Sequence, residues 1–190
     1  MKGKIIIVDD EPLTRVDLRD MLELENYDVV GEAADGFEAI ELAKKHQPDL
    51  VIMDIQMPLL DGLNAGKKIM SEKLANSILM LTAYSDVNHR EKAMGFGASG
   101  YLVKPLDEKS FIPMVEVAIT KGKEVSKLEK NVDKLSEKLE QRKVIEKAKG
   151  ILMANQSIDE EAAYKQIRKL SMDKRCPMID VAEMLVMAND

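Results

Sequence analysis

"VIMDIQMPLLDG", residues 51–62, sets three apolar residues directly before a carboxylate, and follows with a Met-Pro pair and an Asp-Gly turn. Val51, Ile52 and Met53 read as the last residues of a buried strand, with Asp54 delivered to the sheet edge. A lone Asp after a strand usually just begins a loop. The question is whether other strands deliver polar groups to the same edge.

Apolar, β-branched runs recur at 4–8, 27–33, 50–53, 77–82 and 100–103, and amphipathic stretches lie at 12–25, 37–46, 62–73, 87–96 and 107–119. Strands alternating with helices predict a flavodoxin-like α/β fold: a five-stranded parallel sheet with helices on both faces. Ile5 to Val8 and Leu50 to Met53 read as central strands buried on both sides.

In such a sheet, sites form beyond the carboxyl ends of the strands. The first strand ends in Asp9-Asp10-Glu11, the third in Asp54, the fourth in Thr82-Ala83 and the fifth in Lys104-Pro105. Three neighbouring carboxylates repel one another unless a cation joins them. An all-oxygen cluster suits a hard divalent ion, Mg²⁺ foremost. A lysine beside it points to a visiting anion such as a phosphoryl group. Each feature alone is weak, but their occurrence at the ends of four strands in order is specific.

The chain of 190 residues is 45% hydrophobic and 33% charged, enough to bury a core and stay in solution. No apolar run reaches the roughly 18 residues of a membrane span, and the start, MKGKIIIVDDEP, does not read as a signal peptide. A single cysteine, Cys176, excludes an intramolecular disulfide and fits a reducing cytoplasm. The net charge of −6 is uneven: residues 1–120 carry −8 and residues 121–190 carry +2. Two modules with different partners follow from that asymmetry. Neither His46 nor His89 has metal-site spacing.

After residue 120 the strand signals stop, with Gly122 near the expected boundary. Val125, Leu128, Val132, Leu135 and Leu139 then recur at spacings of three and four among Lys, Glu, Asp and Ser. This is the seam of a short coiled coil, or alternatively a surface helix lying on its own domain. Ser157 with Glu160 reads as a capping box starting a helix over 158–172, and Pro177 as the first turn of a helix over 178–188. The expected division is 1–120, a linker helix over 121–141, and a three-helix module over 142–190.

The stretches "IIIVDDEP", "LVIMDIQMPLLDG", "LTAYS" and "GYLVKPL" make residues 1–120 similar to the receiver domain of two-component response regulators. The resemblance implies that Asp54 accepts a phosphoryl group from a sensor histidine kinase. It implies that Asp9, Asp10, Asp54 and the backbone carbonyl of Gln56 hold Mg²⁺, and that Lys104 pairs with the phosphoryl oxygens. Thr82 would bond the phosphoryl group after transfer, and Tyr101 would swing inward as Thr82 moves. Ala83 would leave the site open to donor or water, and the Lys104–Pro105 bond would be cis. Pro113 is a departure that puts the geometry of the helix around it in question.

The output is less legible from chemistry. The last helix, PMIDVAEMLVMAND, carries Asp180 and Glu183 and no basic residue, which argues against a DNA-reading helix. Residues 121–190 contain no His, and Cys176 has no evident base, so an enzymatic output lacks support. The basic residues gather at Arg142, Lys143, Lys147 and Lys149 and at Lys165, Arg168, Lys169, Lys174 and Arg175. They read either as solvated faces or as contacts to a phosphate backbone. Tyr164 among them reads as core or as a base-stacking residue.

The run "RKVIEKAKGILMANQSIDEEAAYKQIRKLSM", residues 142–172, resembles the ANTAR module, a three-helix RNA-binding output that causes transcription antitermination. It carries Ala148, Lys149, Gly150, Tyr164 and Arg168 over as RNA-binding candidates. The whole chain resembles the antiterminators of ethanolamine utilisation, which answer to a sensor histidine kinase. The implied behaviour is dimerisation on phosphorylation and capture of RNA hairpins, two to a transcript. A protein-docking tail and a DNA-binding regulator stand as the alternatives.

Overall fold

Each of the five apolar runs becomes a strand. A computed structural model of the chain describes residues 2–83 and 95–189. The helix expected over 87–96 lies outside the described residues apart from its last two, as does His89. In chain order the elements are β1 (Lys4–Val8), α1 (Pro12–Leu24), β2 (Asp28–Ala33), α2 (Gly36–His46), β3 (Leu50–Asp54), α3 (Gly62–Ser71), β4 (Ile78–Thr82), β5 (Gly100–Val103), α4 (Glu108–Gln156), α5 (Glu160–Lys174) and α6 (Met178–Met187). They fall into two units, Met1–Leu128 and Glu129–Asp190.

In the first unit the strand order is β2-β1-β3-β4-β5, and every pair is parallel. Successive side chains of a strand face opposite sides, and the sequence fills both. Ile6, Val8, Val51, Met53, Ile78 and Met80 face a core closed by Ala39, Ala43, Ala65 and Ile69 of α2 and α3. Ile5, Ile7, Leu50, Ile52, Leu79 and Leu81 face a core closed by Leu18 and Leu22 of α1 and by Phe111 and Val115 of α4. Each fully buried side chain of this size contributes about 1.5–3 kcal/mol.

One irregularity matters for the site. The β1–β2 register shifts between Ile5 and Ile6, so that Ile5 faces Val29 while Ile6 faces Gly31. The extra residue, Val30, turns Glu32 onto the α1 face of the sheet, beside Ile7.

The helix α4 runs through both Pro113 and Gly122. Pro113 stands in the second turn, where its missing N–H leaves only the Lys109 carbonyl without an intrahelical partner. Gly122 is a packing residue rather than a boundary. A Cβ there would meet Ser77 Cβ at 2.7 Å and the Asn76 carbonyl oxygen at 2.8 Å, so glycine lets the helix approach the start of β4.

In the second unit the end of α4 packs with α5 and α6 around Ala148, Leu152, Ala163, Ile167, Val181 and Ala182. The capping residue of α5 is Asp159, not Ser157: its carboxylate accepts from the Ala162 N–H at 2.7 Å. Ser157 lies in the left-handed region, with φ of 53°, just past the end of α4. The helix starts at Glu160, so Asp159, the residue directly before it, stands at the cap position. No helix among the described residues is long and apolar enough to cross a membrane.

Candidate functional site

Register places the acidic edge. Val8 pairs with Met53, so Asp9, one residue past β1, lies level with Asp54, the last residue of β3. Thr82 ends β4, and its partner Val103 puts Lys104 just beyond the end of β5. The ligand oxygens of Asp9, Asp10 and Asp54 lie within 4.8 Å of one another. Asp9 and Asp54 are buried and Asp10 is exposed. Thr82 is buried, Ala83 is exposed, and Tyr101 is half-buried against the core of α2 and α3.

Lys104 bridges the two buried acids. Its Nζ donates to Asp9 Oδ2 and to Asp54 Oδ2, both at 2.6 Å. Burial raises the pKa of Asp9, and the Asp54 charge adds to that, against the pull of Lys104 and of the Glu11 N–H. For Lys104 burial acts the other way, but the bonds to Asp54 and Asp9 outweigh it and its pKa is raised. The ammonium is therefore held charged between the two buried carboxylates.

Backbone groups fix the carboxylates further. The Glu11 N–H donates to Asp9 Oδ1 at 3.0 Å, and the Gln56 N–H to Asp54 Oδ1 at 3.2 Å. The Lys104 N–H donates to the Thr82 carbonyl at 2.7 Å, and the Lys104–Pro105 bond is cis. With one ammonium among three carboxylates, the cluster keeps a surplus of two negative charges. That donor set fits a divalent cation held by oxygen.

Three residues of this edge were not among the sequence candidates. Gly62 starts α3, and a Cβ on it would stand 1.9 Å from the Asp54 carbonyl oxygen. The Gly62 N–H also donates to the Ile55 carbonyl at 3.0 Å. The loop after Asp54 thus folds back against the strand it leaves, which only glycine permits. The Asp61-Gly62 pair was a signal for a tight turn, but not for contact with Asp54. The other two are Arg15 and Glu32. Arg15 donates from Nη1 to the Asp9 carbonyl at 2.6 Å and from Nε to Glu32 Oε2 at 3.3 Å. Arg19 pairs with the same carboxylate. The spacing of Arg15 and Arg19 puts both on one helix face, which hinted at a shared acid.

In the second unit the RNA-binding candidates separate by exposure. Arg142, Lys143, Lys147, Gly150, Tyr164, Lys165, Arg168 and Lys169 are exposed. Gly150 has open space where a Cβ would stand. Ala148 and Lys149 are buried instead. Ala148 belongs to the core. Lys149 donates to Glu146 at 2.8 Å and to Glu160 at 2.6 Å, tying α4 to the first turn of α5. These hydrogen bonds, Glu146 first, raise the Lys149 pKa, and the same contact lowers that of Glu160.

The expected seam is unburied by its own chain: Val125, Leu128, Val132, Leu135 and Leu139 are 47–64% exposed. Five large apolar side chains in one stripe on a helix otherwise rich in charge need a partner to leave water.

The chain matches the response regulator receiver domain family over residues 5–116 and the ANTAR domain family over residues 133–186. It is 45% identical over 183 residues to the transcriptional regulatory protein PdtaR of Mycobacterium tuberculosis, across 96% of this chain and 89% of PdtaR. The chemotaxis protein CheY of Halobacterium salinarum is 36% identical over 120 residues, 63% of this chain and 99% of CheY. Among solved structures, the signal receiver domain of NarL from M. tuberculosis superposes with a TM-score of 0.59 at 30% identity, over 62% of this chain and 96% of that one. The receiver domain of the sensor histidine kinase PA1611 from Pseudomonas aeruginosa, solved with a magnesium ion in its active-site cleft, gives 0.56 at 28% identity, over 62% of this chain and 98% of that one.

Proposed function

Because the chain belongs to the response regulator receiver family and carries an ANTAR domain, we propose that Asp54 accepts a phosphoryl group from a sensor histidine kinase and that this step governs RNA binding by the helical module. The observation that carries this reading is the convergence of Asp9, Asp10 and Asp54 with Lys104 at one sheet edge. Asp54 Oδ forms the bond to phosphorus as the donor's bond to phosphorus breaks, giving an acyl phosphate. Asp9, Asp10, Asp54 and the Gln56 carbonyl would hold Mg²⁺, which would supply charge to offset that gathering on the phosphoryl oxygens. Lys104 loses its bond to Asp54 Oδ2 and turns to the new phosphoryl oxygens. Thr82 then bonds the same group, Tyr101 moves inward with it, and Ala83 keeps the approach open.

In this reading residues 1–120 are the receiver, 121–141 a linker helix that pairs with a second copy along Val125 to Leu139, and 142–190 the output. The dimer presents Arg142, Lys143, Lys147, Tyr164, Lys165, Arg168 and Lys169 to tandem RNA hairpins and prevents a terminator from forming. The setting is the cytoplasm. Exposed cations flanking one exposed aromatic are what a phosphate backbone with an unpaired base requires.

The test is a titration of the full chain with a tandem-hairpin RNA and with duplex DNA, with and without beryllofluoride and Mg²⁺, at two salt concentrations. RNA affinity that rises with beryllofluoride and disappears in Asp54→Ala supports the reading. DNA binding instead of RNA binding, or neither, overturns the output assignment.

A further inference from the structure

Asp9 is the last residue that β2 supports: its N–H donates to the Ala33 carbonyl at 3.1 Å. Its own carbonyl points past the end of the ladder and receives the Arg15 guanidinium at 2.6 Å. A buried carbonyl without a donor carries a penalty of about 1–3 kcal/mol, so the contact settles how that peptide lies. The peptide leads directly into Asp10, the exposed member of the carboxylate cluster. Arg15 is in turn gripped by Glu32, whose side chain reaches the α1 face because of the register shift in β2. Arg15 and Glu32 are both largely enclosed, with side-chain exposures of 18% and 23%.

We infer that Arg15, anchored by Glu32, is a positioning residue for the cation site: it fixes the Asp9–Asp10 peptide so that the Asp10 carboxylate faces Asp9 and Asp54. The inference rests on the reading of those three acids as cation ligands. Arg15 bonds the Asp9 carbonyl and Glu32 rather than any of the three carboxylates that would hold the cation. It acts through a backbone carbonyl, which lysine's single point charge reproduces poorly and methionine not at all. Arg19 shares Glu32, while the Asp9 carbonyl is held by Arg15, so Arg19 serves as the internal control.

Isothermal titration of the full chain with MgCl₂ decides the matter, comparing the unaltered protein with Arg15→Met, Arg15→Lys, Glu32→Gln and Arg19→Ala. Loss of a group that orients a metal ligand lowers metal affinity about 10–100-fold. Arg15→Met is expected near the lower end of that range, Arg15→Lys between it and the unaltered protein, and Arg19→Ala unchanged. Phosphorylation by acetyl phosphate should slow at subsaturating Mg²⁺ and recover at saturating Mg²⁺, a split that a damaged fold does not give. Mg²⁺ binding by Arg15→Met within about twofold of the unaltered protein, far short of the range above, overturns the inference. If Arg15→Met melts early without metal, Glu32→Gln decides instead: weaker Mg²⁺ binding supports the anchor, and unchanged binding refutes it. An unaltered protein that takes up no Mg²⁺ at all refutes the cation reading itself, and this inference with it.

Discussion

Replacing Gly62 with alanine sets two effects of opposite sign against each other. Gly62 is the first residue of α3, and alanine in a helix is favoured over glycine by about 1 kcal/mol. On propensity alone the variant should be more stable. The new Cβ, however, would lie 1.9 Å from the Asp54 carbonyl oxygen and 2.9 Å from its carbon. Contacts under 3.0 Å are essentially never made by real Cβ atoms, so the backbone must part by about 1.1 Å. The obstacle is main chain at the end of a central strand, where Asp54 pairs with Leu81, and backbone cannot rotate away as a side chain would. Overpacking of this kind costs about 1–3 kcal/mol or more, so the clash exceeds the propensity gain. Asp54 also shifts relative to Asp9 and Lys104, and a misplacement of about 1 Å slows a positioned reaction about 100-fold. Urea unfolding of the receiver and the rate of phosphorylation by acetyl phosphate measure the two effects. Unchanged or increased stability with an unchanged rate would refute the reasoning.

Other outcomes follow from the same structure. Adding Mg²⁺ at 100 times its dissociation constant should stabilise the receiver by about 2.7 kcal/mol, and chelation or Asp10→Asn should remove that gain in a melting experiment. In the output module the Lys149 contact lowers the Glu160 pKa from its ordinary 4.5. The stability it contributes is present above that value and is lost as pH falls through the folded-state pKa. Melting points of the unaltered protein and Glu160→Gln should therefore differ at neutral pH and converge in acid. Arg168→Ala should leave the melting point unchanged while lowering the salt dependence of RNA binding by about one phosphate contact. Lys149→Met should lower the melting point first and RNA binding only as a consequence. Leu135→Asp, at a position exposed within one chain, should leave the monomer stable and prevent the activated protein from reaching dimer mass in light scattering.

The sheet was legible because its signal is redundant. Ile5 to Val8, Leu50 to Met53 and Ile78 to Leu81 are apolar on both faces, and only a doubly covered parallel strand accommodates that. The acidic edge was legible because residues one step past the strands must meet there. What escaped depends on close approach, which spacing does not encode. Gly62 and Gly122 read as turn and boundary, yet both are sites where backbone meets backbone or a helix meets a strand. Arg15 and Glu32 come together through a single extra residue in β2, invisible without the register. Lys149 read as a surface cation because its run is basic. Glu146, three positions away on the same helix, was within reach of spacing, but Glu160, eleven positions away, meets Lys149 only through the packing of α4 with α5. Ser157 read as the cap because it stands three residues before Glu160, but the helix starts later and Asp159 caps it.

The most direct test of the central claim is the intact mass of the protein after incubation with acetyl phosphate and Mg²⁺, followed by fragmentation to locate the modification. The account predicts the gain of one phosphoryl group, at Asp54, and no gain in Asp54→Ala. A modified Asp54→Ala chain, or an unaltered chain that gains nothing, would contradict it.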